Sequence, residues 1–207
     1  MSIPHAIPTR AYVILSFCLC LFLGCRPSEA GNPKVPAGAR SSGGQHATIE
    51  TSKGTIEVEF YQSDSPRAVE NFRLLAEHGY YDGTVFHRII RGFMIQGGDP
   101  KGDGSGGESA WGGAFPDEIV RSAALYKRGY RRGIVAMANA GPNTNASQFF
   151  IMHANYPLPP NYVIFGIVTK GLEVVDALAS VPVTMGPGGE RSRPVDPPVV
   201  RKVTIRP

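Results

Sequence analysis

The chain has 207 residues, of which 42% are hydrophobic and 18% are charged, a composition typical of one globular domain with short additional segments. Its net charge of +4 is a mild basic excess, and the densest basic stretch, residues 127–132, belongs to no nucleic-acid-binding motif. We therefore interpret this stretch as a solvated loop and expect no nucleic-acid partner.

The first 24 residues predict a signal peptide. Arg10 precedes an apolar run, residues 11–24, that is too short to span a bilayer comfortably and ends in a small residue. The ending LFLGC resembles the lipobox of bacterial lipoproteins, which implies that Cys25 is lipidated and becomes the new N-terminus. The protein would then be exported and anchored to a membrane, facing the periplasm or the cell exterior. An uncleaved anchor and ordinary cleavage near Ala30 remain as alternatives.

The next segment, residues 25–45, predicts a disordered tether, because residues 26–45 are half Pro, Gly and Ser and show no apolar period. Residue patterns typical of strands and helices begin at position 46, so we place a folded domain over residues 46–207. All three cysteines lie at or before position 25. The domain therefore contains no disulfide, and we expect its core alone to stabilise it.

Within this domain, the residue pattern predicts many short strands and two helices. Alternating residues on both sides of positions 52–54 predict a hairpin. One helix is predicted to begin with Ser65 as its N-cap and Pro66 in its first turn, and to end at Gly79. Further elements are predicted in chain order: two strands around a turn within residues 84–97, strands within 133–139, 147–152 and 162–168, a helix over 171–179, a loop over 182–198 and a strand over 199–205.

The same pattern speaks against several kinds of site. The glycine-rich loop at residues 97–113 lacks the ending of a phosphate-binding P-loop, and Asp99 and Asp103 lack the spacing of a calcium-binding loop. The histidines include no pair with metal-ligand spacing, so we expect no metal ion and no cofactor. We interpret His87 and His153 as polar groups that are hydrogen-bonded at the edge of the core.

Three segments resemble a known family: FHRIIRGFMIQGGD (86–99), MANAGPNTNASQFFI (137–151) and VIFG (163–166). In sequence, order and spacing they resemble the cyclophilin-type peptidyl-prolyl cis/trans isomerases, over about residues 46–205. The resemblance implies a mainly β fold, a closed eight-stranded antiparallel β-barrel capped by two α-helices. It also implies an enzyme that acts on proline-containing segments of unfolded or exported proteins, and we expect it to be a monomer. Short strands without regular strand-helix alternation independently favour an antiparallel sheet, either closed into a barrel or folded as a sandwich.

The resemblance also assigns site residues. The catalytic arginine of the family falls on Arg88. The residues implied to bind substrate form an apolar proline pocket and a polar wall that holds the backbone: Phe93, Met94, Phe150 and Leu158 for the pocket, and Gln96, Asn139 and Gln148 with Ala138 beside them for the wall. Tyr162 lies on the pocket wall where many eukaryotic members carry His. Pro157 stands where they carry Trp, which speaks against tight binding of cyclosporin.

These residue types suit the rotation of an X-Pro peptide bond. The rotation breaks no covalent bond, so it requires no nucleophile, metal or cofactor, and its barrier of about 18–20 kcal/mol is mostly lost amide resonance. A fixed cation such as Arg88 can stabilise the twisted amide specifically. The sequence therefore predicts a peptidyl-prolyl isomerase. The alternative is a non-catalytic proline-peptide binding module or chaperone on the same fold.

Overall fold

The computed structural model describes residues 34–207. The predicted signal peptide, the predicted lipidation at Cys25 and the first part of the predicted tether lie outside the described residues. Among the helices of residues 34–207, none is long and apolar enough to cross a membrane.

Residues 34–207 form ten strands and three helices. The strands are β1 (His46–Thr51), β2 (Gly54–Phe60), β3 (Arg88–Ile90), β4 (Met94–Gly97), β5 (Ile134–Met137), β6 (Phe149–Met152), β7 (Ile164–Lys170), β8 (Val183–Met185), β9 (Arg191–Pro194) and β10 (Val200–Arg206). The helices are α1 (Pro66–Glu77), α2 (Ala124–Arg128) and α3 (Leu172–Ala179). The predicted strands and both predicted helices are confirmed, with boundaries that differ by a few residues.

Eight of these strands form one antiparallel sheet in the order β10-β1-β2-β7-β5-β6-β4-β3, which confirms a mainly β fold. The sheet curls and has β3 and β10 as its two edge strands, and it shows no continuous ladder between them. An isolated bridge between Val85 and Val199 joins the segments that precede these two strands. Beyond that bridge, β3 lies beside β9, which belongs to a separate two-stranded sheet with β8. Because β9 lies beside β3, the hydrogen-bonded pairing of β3 with β10 does not continue past the bridge.

Both faces of the central strands are buried, and this double burial positions the site. In β6, Phe149 and Ile151 join the larger apolar cluster, whereas Phe150 and Met152 join a smaller cluster on the opposite face. Successive residues of a strand point to opposite faces, so an uninterrupted apolar strand serves two cores. The ring of Phe72 in α1 packs at the centre of the larger cluster, with centroid distances of 4.9 to 5.8 Å to four aromatic neighbours.

Helix α1 starts at the predicted residue but is capped by a different one. The hydroxyl of Ser65 donates to the carbonyl of Ile164 at 2.9 Å and makes no cap hydrogen bond. The carboxylate of Glu118 instead accepts hydrogen bonds from the backbone N–H groups of Arg67 and Ala68, at 2.9 and 2.8 Å. A carboxylate at this position satisfies free N–H groups and favours the positive end of the helix.

The basic stretch at residues 127–132 is more structured than the predicted solvated loop. Its first two residues end helix α2, which is held by the buried side chains of Leu125 and Tyr126. The hydroxyl of Tyr126 accepts a hydrogen bond from the N–H of Ile164 at 3.2 Å. A five-residue helix has little stability of its own, so tertiary packing rather than local propensity forms it.

The predicted loop at residues 182–198 contains a small hairpin formed by β8 and β9. Val183 pairs with Pro194, and Thr184 pairs with Arg193. The N–H of Gly186 donates to the carbonyl of Glu190 at 2.7 Å, which closes the tip of the hairpin. The Pro and Gly content concealed this element, because those residues are depleted in strands but frequent in the turns between them.

The second part of the predicted tether, residues 34–45, lies against the domain rather than extending as a free coil. Val35 and Ala39 pack on the apolar core. The hydroxyl of Ser41 donates to the carboxylate of Glu70 at 2.5 Å, and the N–H of Ser42 donates to Glu77 at 2.8 Å. Glu70 and Glu77 are seven positions apart and therefore lie on the same face of α1. This spacing lets them bind Ser41 and Ser42 of the segment that leads into β1.

Candidate active site

One cavity of about 150 Å³ brings together nine of the ten predicted catalytic and substrate-binding residues. Its lining consists of Arg88, Phe93, Met94, Gln96, Ala138, Asn139, Phe150, Leu158 and Tyr162. The tenth residue, Gln148, lines a neighbouring cavity of about 260 Å³ that shares Gln96, Ala138 and Asn139 with the first. We refer to the first cavity as the proline pocket.

The register of the sheet assembles the floor of the proline pocket. Arg88 pairs with Gln96 across β3 and β4, and Gln96 pairs with Phe150 across β4 and β6. Phe150 in turn pairs with Ala136 of β5. Directly opposed residues of an antiparallel sheet point to the same face, so these side chains form one row across four strands. A register shift of one residue would turn the row into the opposite core.

The apolar part of the pocket is rigid because its aromatic rings are held by other rings. The ring of Phe150 meets Tyr162 edge to face at 5.4 Å, and the ring of Phe93 lies 4.4 Å from that of Tyr156. The hydroxyl of Tyr130 donates to the carbonyl of Tyr162 at 2.8 Å and accepts from its N–H at 3.1 Å. Burial raises the pKa of Tyr130, which keeps this hydroxyl protonated and able to donate.

A chain of side-chain amides forms the polar wall. Nη1 of Arg88 donates to Oε1 of Gln96 at 3.4 Å, and Nε2 of Gln96 donates to Oε1 of Gln148 at 2.9 Å. Nε2 of Gln148 ends the chain on the carbonyls of Gly104 and Gly106, at 3.0 and 2.8 Å. Each amide is therefore held in one orientation, as a preorganised wall requires.

The glycine-rich loop at residues 97–113 supports this wall, a role that the sequence interpretation missed. The buried carboxylate of Asp99 accepts hydrogen bonds from the N–H groups of Lys101, Asp103 and Gly104, at 2.9, 3.2 and 2.6 Å. A buried carboxylate is stable only when hydrogen bonds replace its water, and here they also fix the loop. Within residues 34–207, no group of three or more His, Cys, Asp or Glu side chains is arranged to hold a metal ion.

Asn139 links two loops at the rim of the pocket. Its Nδ2 donates to the carbonyl of Asn161 at 2.9 Å, and its Oδ1 accepts from the N–H of Gly141 at 3.2 Å. Both ends of its side chain are therefore engaged within the protein. What Asn139 still offers toward the pocket is its backbone, next to Ala138.

Arg88 has a partner that sequence reasoning did not find. Its Nε donates to Oε1 of Glu190 at 2.7 Å, and its Nη2 lies 2.6 Å from the same oxygen in an ion pair. Glu190 lies 102 positions later in the chain, at the tip of the β8–β9 hairpin, within a segment predicted as a loop. No local pattern marks such a residue, because its role depends on where the hairpin folds back.

The two histidines singled out from the sequence differ in the structure. His153 is hydrogen-bonded as predicted: its Nδ1 accepts from the N–H of Gly92 at 2.9 Å, and its Nε2 lies 3.2 Å from Asp176. His87 is buried, but neither of its ring nitrogens has a hydrogen-bond partner of good geometry, which corrects the prediction. Burial lowers the pKa of His87, which favours the neutral ring over the charged one. Burying a neutral imidazole without hydrogen bonds costs less free energy than burying a charged one.

Comparison with known proteins identifies the family. Residues 46–205 match the family model described as cyclophilin type peptidyl-prolyl cis-trans isomerase/CLD. The chain belongs to this family. It is 48% identical over 159 residues to peptidyl-prolyl cis-trans isomerase CYP18-1 of Arabidopsis thaliana, a match covering 76% of this chain and 94% of the relative. It is 43% identical over 159 residues to the human peptidyl-prolyl cis-trans isomerase-like 3, with the same coverage of both chains.

A solved structure supports the same assignment. The cyclophilin type peptidyl-prolyl cis-trans isomerase of Cryptosporidium parvum is 40% identical and aligns with a TM-score of 0.71, covering 79% of this chain and 98% of the other. The fold, the family and the named relatives agree, so this cyclophilin-type protein is a peptidyl-prolyl cis-trans isomerase.

Proposed function

We propose that Arg88 is the catalytic residue and that the proline pocket holds the ring of an X-Pro bond while the bond rotates. The observation that carries this proposal is the Nη1 group of Arg88, which lies 3.8 Å from Sδ of Met94 at the wall of the 150 Å³ pocket. The relative from Cryptosporidium parvum was also solved in the presence of the dipeptide Ala-Pro. A proline-containing peptide is therefore the ligand class that we assign to this pocket.

The chemistry follows from the change in the amide as it twists. Loss of resonance makes the prolyl nitrogen pyramidal and localises on it the lone pair that the planar amide shares with the carbonyl. The guanidinium of Arg88 remains charged at any working pH, so it is a permanent donor toward that nitrogen. This interaction is stronger in the twisted state than in either planar state, which is the condition for catalysis.

The polar wall holds the peptide on one side of the rotating bond. The hydrogen bond between Gln96 and Gln148 orients both amides and leaves the second N–H of Gln96 and a further lone pair on each amide oxygen for the peptide, while Asn139 presents its backbone. Fixing the flanking backbone while the proline ring sits in the pocket confines rotation to a single bond. Such positioning lowers the entropic part of the barrier.

The direct test replaces Arg88 and measures isomerisation of an X-Pro peptide in a protease-coupled assay. We expect Arg88→Ala to lower kcat/KM by at least about tenfold, or about 1.4 kcal/mol of transition-state stabilisation. Arg91→Ala is the matched control, because Arg91 is exposed in the neighbouring turn. Near-normal turnover by Arg88→Ala would refute the role of Arg88.

The second candidate function is a proline-peptide binding module or chaperone in which turnover is incidental. The hydrogen-bonded amides and the enclosed apolar pocket would serve binding as well as catalysis. Measuring peptide affinity by calorimetry on the same variants separates the two. We expect Arg88→Ala to retain affinity within about threefold while turnover falls, since Arg88 acts mainly on the twisted state.

We also propose that the protein is exported and anchored to a membrane by a lipid on Cys25, assisting the folding of exported proteins. The support is the LFLGC segment after an apolar run, and the matched family begins only at residue 46. The relatives named above are eukaryotic, so they carry no argument for a bacterial lipoprotein. If a Cys25→Ser variant still fractionated with membranes and incorporated a fatty-acid probe equally, the anchor would be refuted.

We propose further that the sheet closes into a barrel through the segments before its edge strands. Hydrogen bonds of 2.9 Å from Phe86 to Pro198 and of 2.8 Å between Thr84 and Val200 support closure. In hydrogen exchange, the amides of Phe86 and Val200 should be protected as strongly as those of β1. Rapid exchange at both positions would contradict closure.

We propose that the isomerase acts as a monomer. One copy of the chain brings nine of the ten predicted site residues into one pocket, so we expect the site to need no second copy. Sedimentation velocity of the purified protein should give a single species of monomer mass at the concentrations used for activity. A dimer under those conditions would contradict this proposal.

A further inference from the structure

The guanidinium of Arg88 makes different contacts along its two sides. One side, formed by Nε and Nη2, faces Oε1 of Glu190 at 2.7 and 2.6 Å. The other side, formed by Nη1, faces Gln96 and Met94, which both line the proline pocket. Because the guanidinium is planar and rigid, a contact that fixes the first side also fixes the direction of the second.

Glu190 is itself held in place. Its carbonyl accepts from the N–H of Gly186 at 2.7 Å at the hairpin tip, and strand β9, which begins at the next residue, lies beside β3. Gly189, directly before it, has a φ of 76°, a conformation that glycine adopts without strain. The carboxylate therefore comes from an anchored hairpin rather than from a free loop.

The ion pair leaves the proline pocket open. Glu190 is absent from the lining of that pocket and instead lines an adjacent cavity of about 360 Å³, which shares Arg88 and Gln96 with the pocket. A peptide can therefore occupy the pocket without displacing the carboxylate. This separation distinguishes a supporting contact from one that blocks the site.

We infer that Glu190 is a positioning residue, which holds Arg88 by its Nε and Nη2 groups so that Nη1 is directed at the substrate. The inference rests on the proposed catalytic role of Arg88. An arginine side chain that is already ordered loses less freedom when it engages the twisted amide.

The negative charge of Glu190 has an opposing effect, because it weakens the field of the cation. The side chains of Arg88 and Glu190 are 34% and 41% exposed, so water screens this charge-charge interaction strongly. The geometric constraint of one short hydrogen bond and one close ion contact to the same oxygen is not screened in the same way. We therefore expect the ordering of Arg88 by Glu190 to outweigh the partial neutralisation of its charge. Removal of Glu190 should then lower isomerase activity.

The test compares Glu190→Ala, Glu190→Gln and the control Asp196→Ala, which removes an exposed carboxylate from the same segment. We expect Glu190→Ala to lower kcat/KM about fivefold, mainly through kcat, and Asp196→Ala to match wild type. Glu190→Gln keeps an oxygen that can accept the hydrogen bond from Nε, so its kcat/KM should exceed that of Glu190→Ala at least about threefold. Activity of Glu190→Ala at or above the wild-type level would overturn the inference and indicate an inhibitory contact. Equal losses in both variants would also overturn it.

A second measurement does not depend on activity. In nitrogen-15 NMR, the Nε–H group of Arg88 should give an ordered, slowly exchanging signal in wild type that becomes mobile in Glu190→Ala. If wild type had no isomerase activity but this signal behaved as expected, the proposed function would fail while the positioning contact would stand. If the signal were equally mobile in both proteins, the positioning contact would be refuted.

Discussion

Two arginines of this isomerase are equally exposed and each pairs with a carboxylate, yet their contacts differ. Arg132 binds Asp176 through both terminal nitrogens, at 2.6 and 2.9 Å, and also donates to the carbonyls of His153 and Leu172, at 2.7 and 3.3 Å. Arg88 binds one oxygen of Glu190 and presents Nη1 to a cavity. The side chains of both arginines are 34% exposed.

The difference shows how one residue type serves two purposes. Arg132 uses both terminal nitrogens within the protein and joins the end of β6 to helix α3, so it acts as a structural clamp. Arg88 is held by Glu190 on one side, and on its other side Nη1 makes only a long hydrogen bond to Gln96 and a contact with Met94 at the pocket wall. A fixed cation with a weakly bound donor at a cavity, rather than the presence of an ion pair, is what supports the catalytic role proposed for Arg88.

The largest effect that distinguishes Arg132 from Arg88 is expected in the free energy of unfolding. Arg132→Ala removes a bidentate ion pair and two hydrogen bonds, so we expect the free energy of unfolding to fall by about 1 kcal/mol. The melting temperature should fall by about 2–4 °C, while kcat/KM at a permissive temperature stays at the wild-type level. Thermal unfolding and the peptide assay on the same preparation check this. A loss of turnover without a loss of stability would remove the distinction between the two arginines.

A smaller effect is expected from the amide chain that contacts Arg88. Gln148→Leu breaks the chain that orients Gln96, so kcat/KM should fall about threefold. Gln45→Leu makes the same change at an exposed position and should have no effect on turnover. Turnover of Gln148→Leu equal to that of the control would show that the polar wall does not orient the catalytic group.

The sequence predicted those parts of the site that lie within contiguous motifs. Residues of β3, β4 and β6 belong to the segments FHRIIRGFMIQGGD and MANAGPNTNASQFFI, and strand register brings Arg88, Gln96 and Phe150 into one row. The alternation of an antiparallel sheet then fixes which side chains share a face. Seven of the nine predicted residues that line the pocket lie in these two segments, and the other two, Leu158 and Tyr162, come from the segment that follows them.

The residues that sequence reasoning missed act from distant positions. Glu118 caps a helix about 50 positions away, Tyr130 holds the backbone of Tyr162, and Glu190 reaches Arg88 from a hairpin rich in glycine. None of them lies in a periodic pattern, because each acts through one polar group at one place. Their roles depend on tertiary packing, which propensity and spacing do not report.

The smallest effect is a pH dependence at the structural clamp. The hydrogen bond from Arg132 lowers the pKa of Asp176 in the folded state, so the unfolded chain binds more protons at acidic pH. The stabilisation is fully present above the unfolded pKa of about 3.9 and is lost as pH falls through the lower folded pKa. Because Asp176 is about half exposed, we expect only a few tenths of a kcal/mol.

This dependence is measured as the difference in unfolding free energy between wild type and Asp176→Asn. The difference should be constant near neutral pH and shrink between about pH 5 and about pH 2. Asp196→Asn, which changes an exposed carboxylate outside the clamp, is the matched control. A difference that is independent of pH over this range would contradict the assignment of the clamp to Arg132 and Asp176.

The most direct test of the catalytic role of Arg88 is isomerisation measured without a coupled protease, by NMR exchange spectroscopy on an X-Pro peptide with wild type, Arg88→Ala and Arg132→Ala. The account predicts that Arg88→Ala loses at least about tenfold in exchange rate, while Arg132→Ala retains the wild-type rate. The unfolding free energy of Arg88→Ala should stay within about 1 kcal/mol of wild type, since an exposed ion pair contributes little. An Arg88→Ala variant that folds normally and still exchanges the peptide at the wild-type rate would contradict the account.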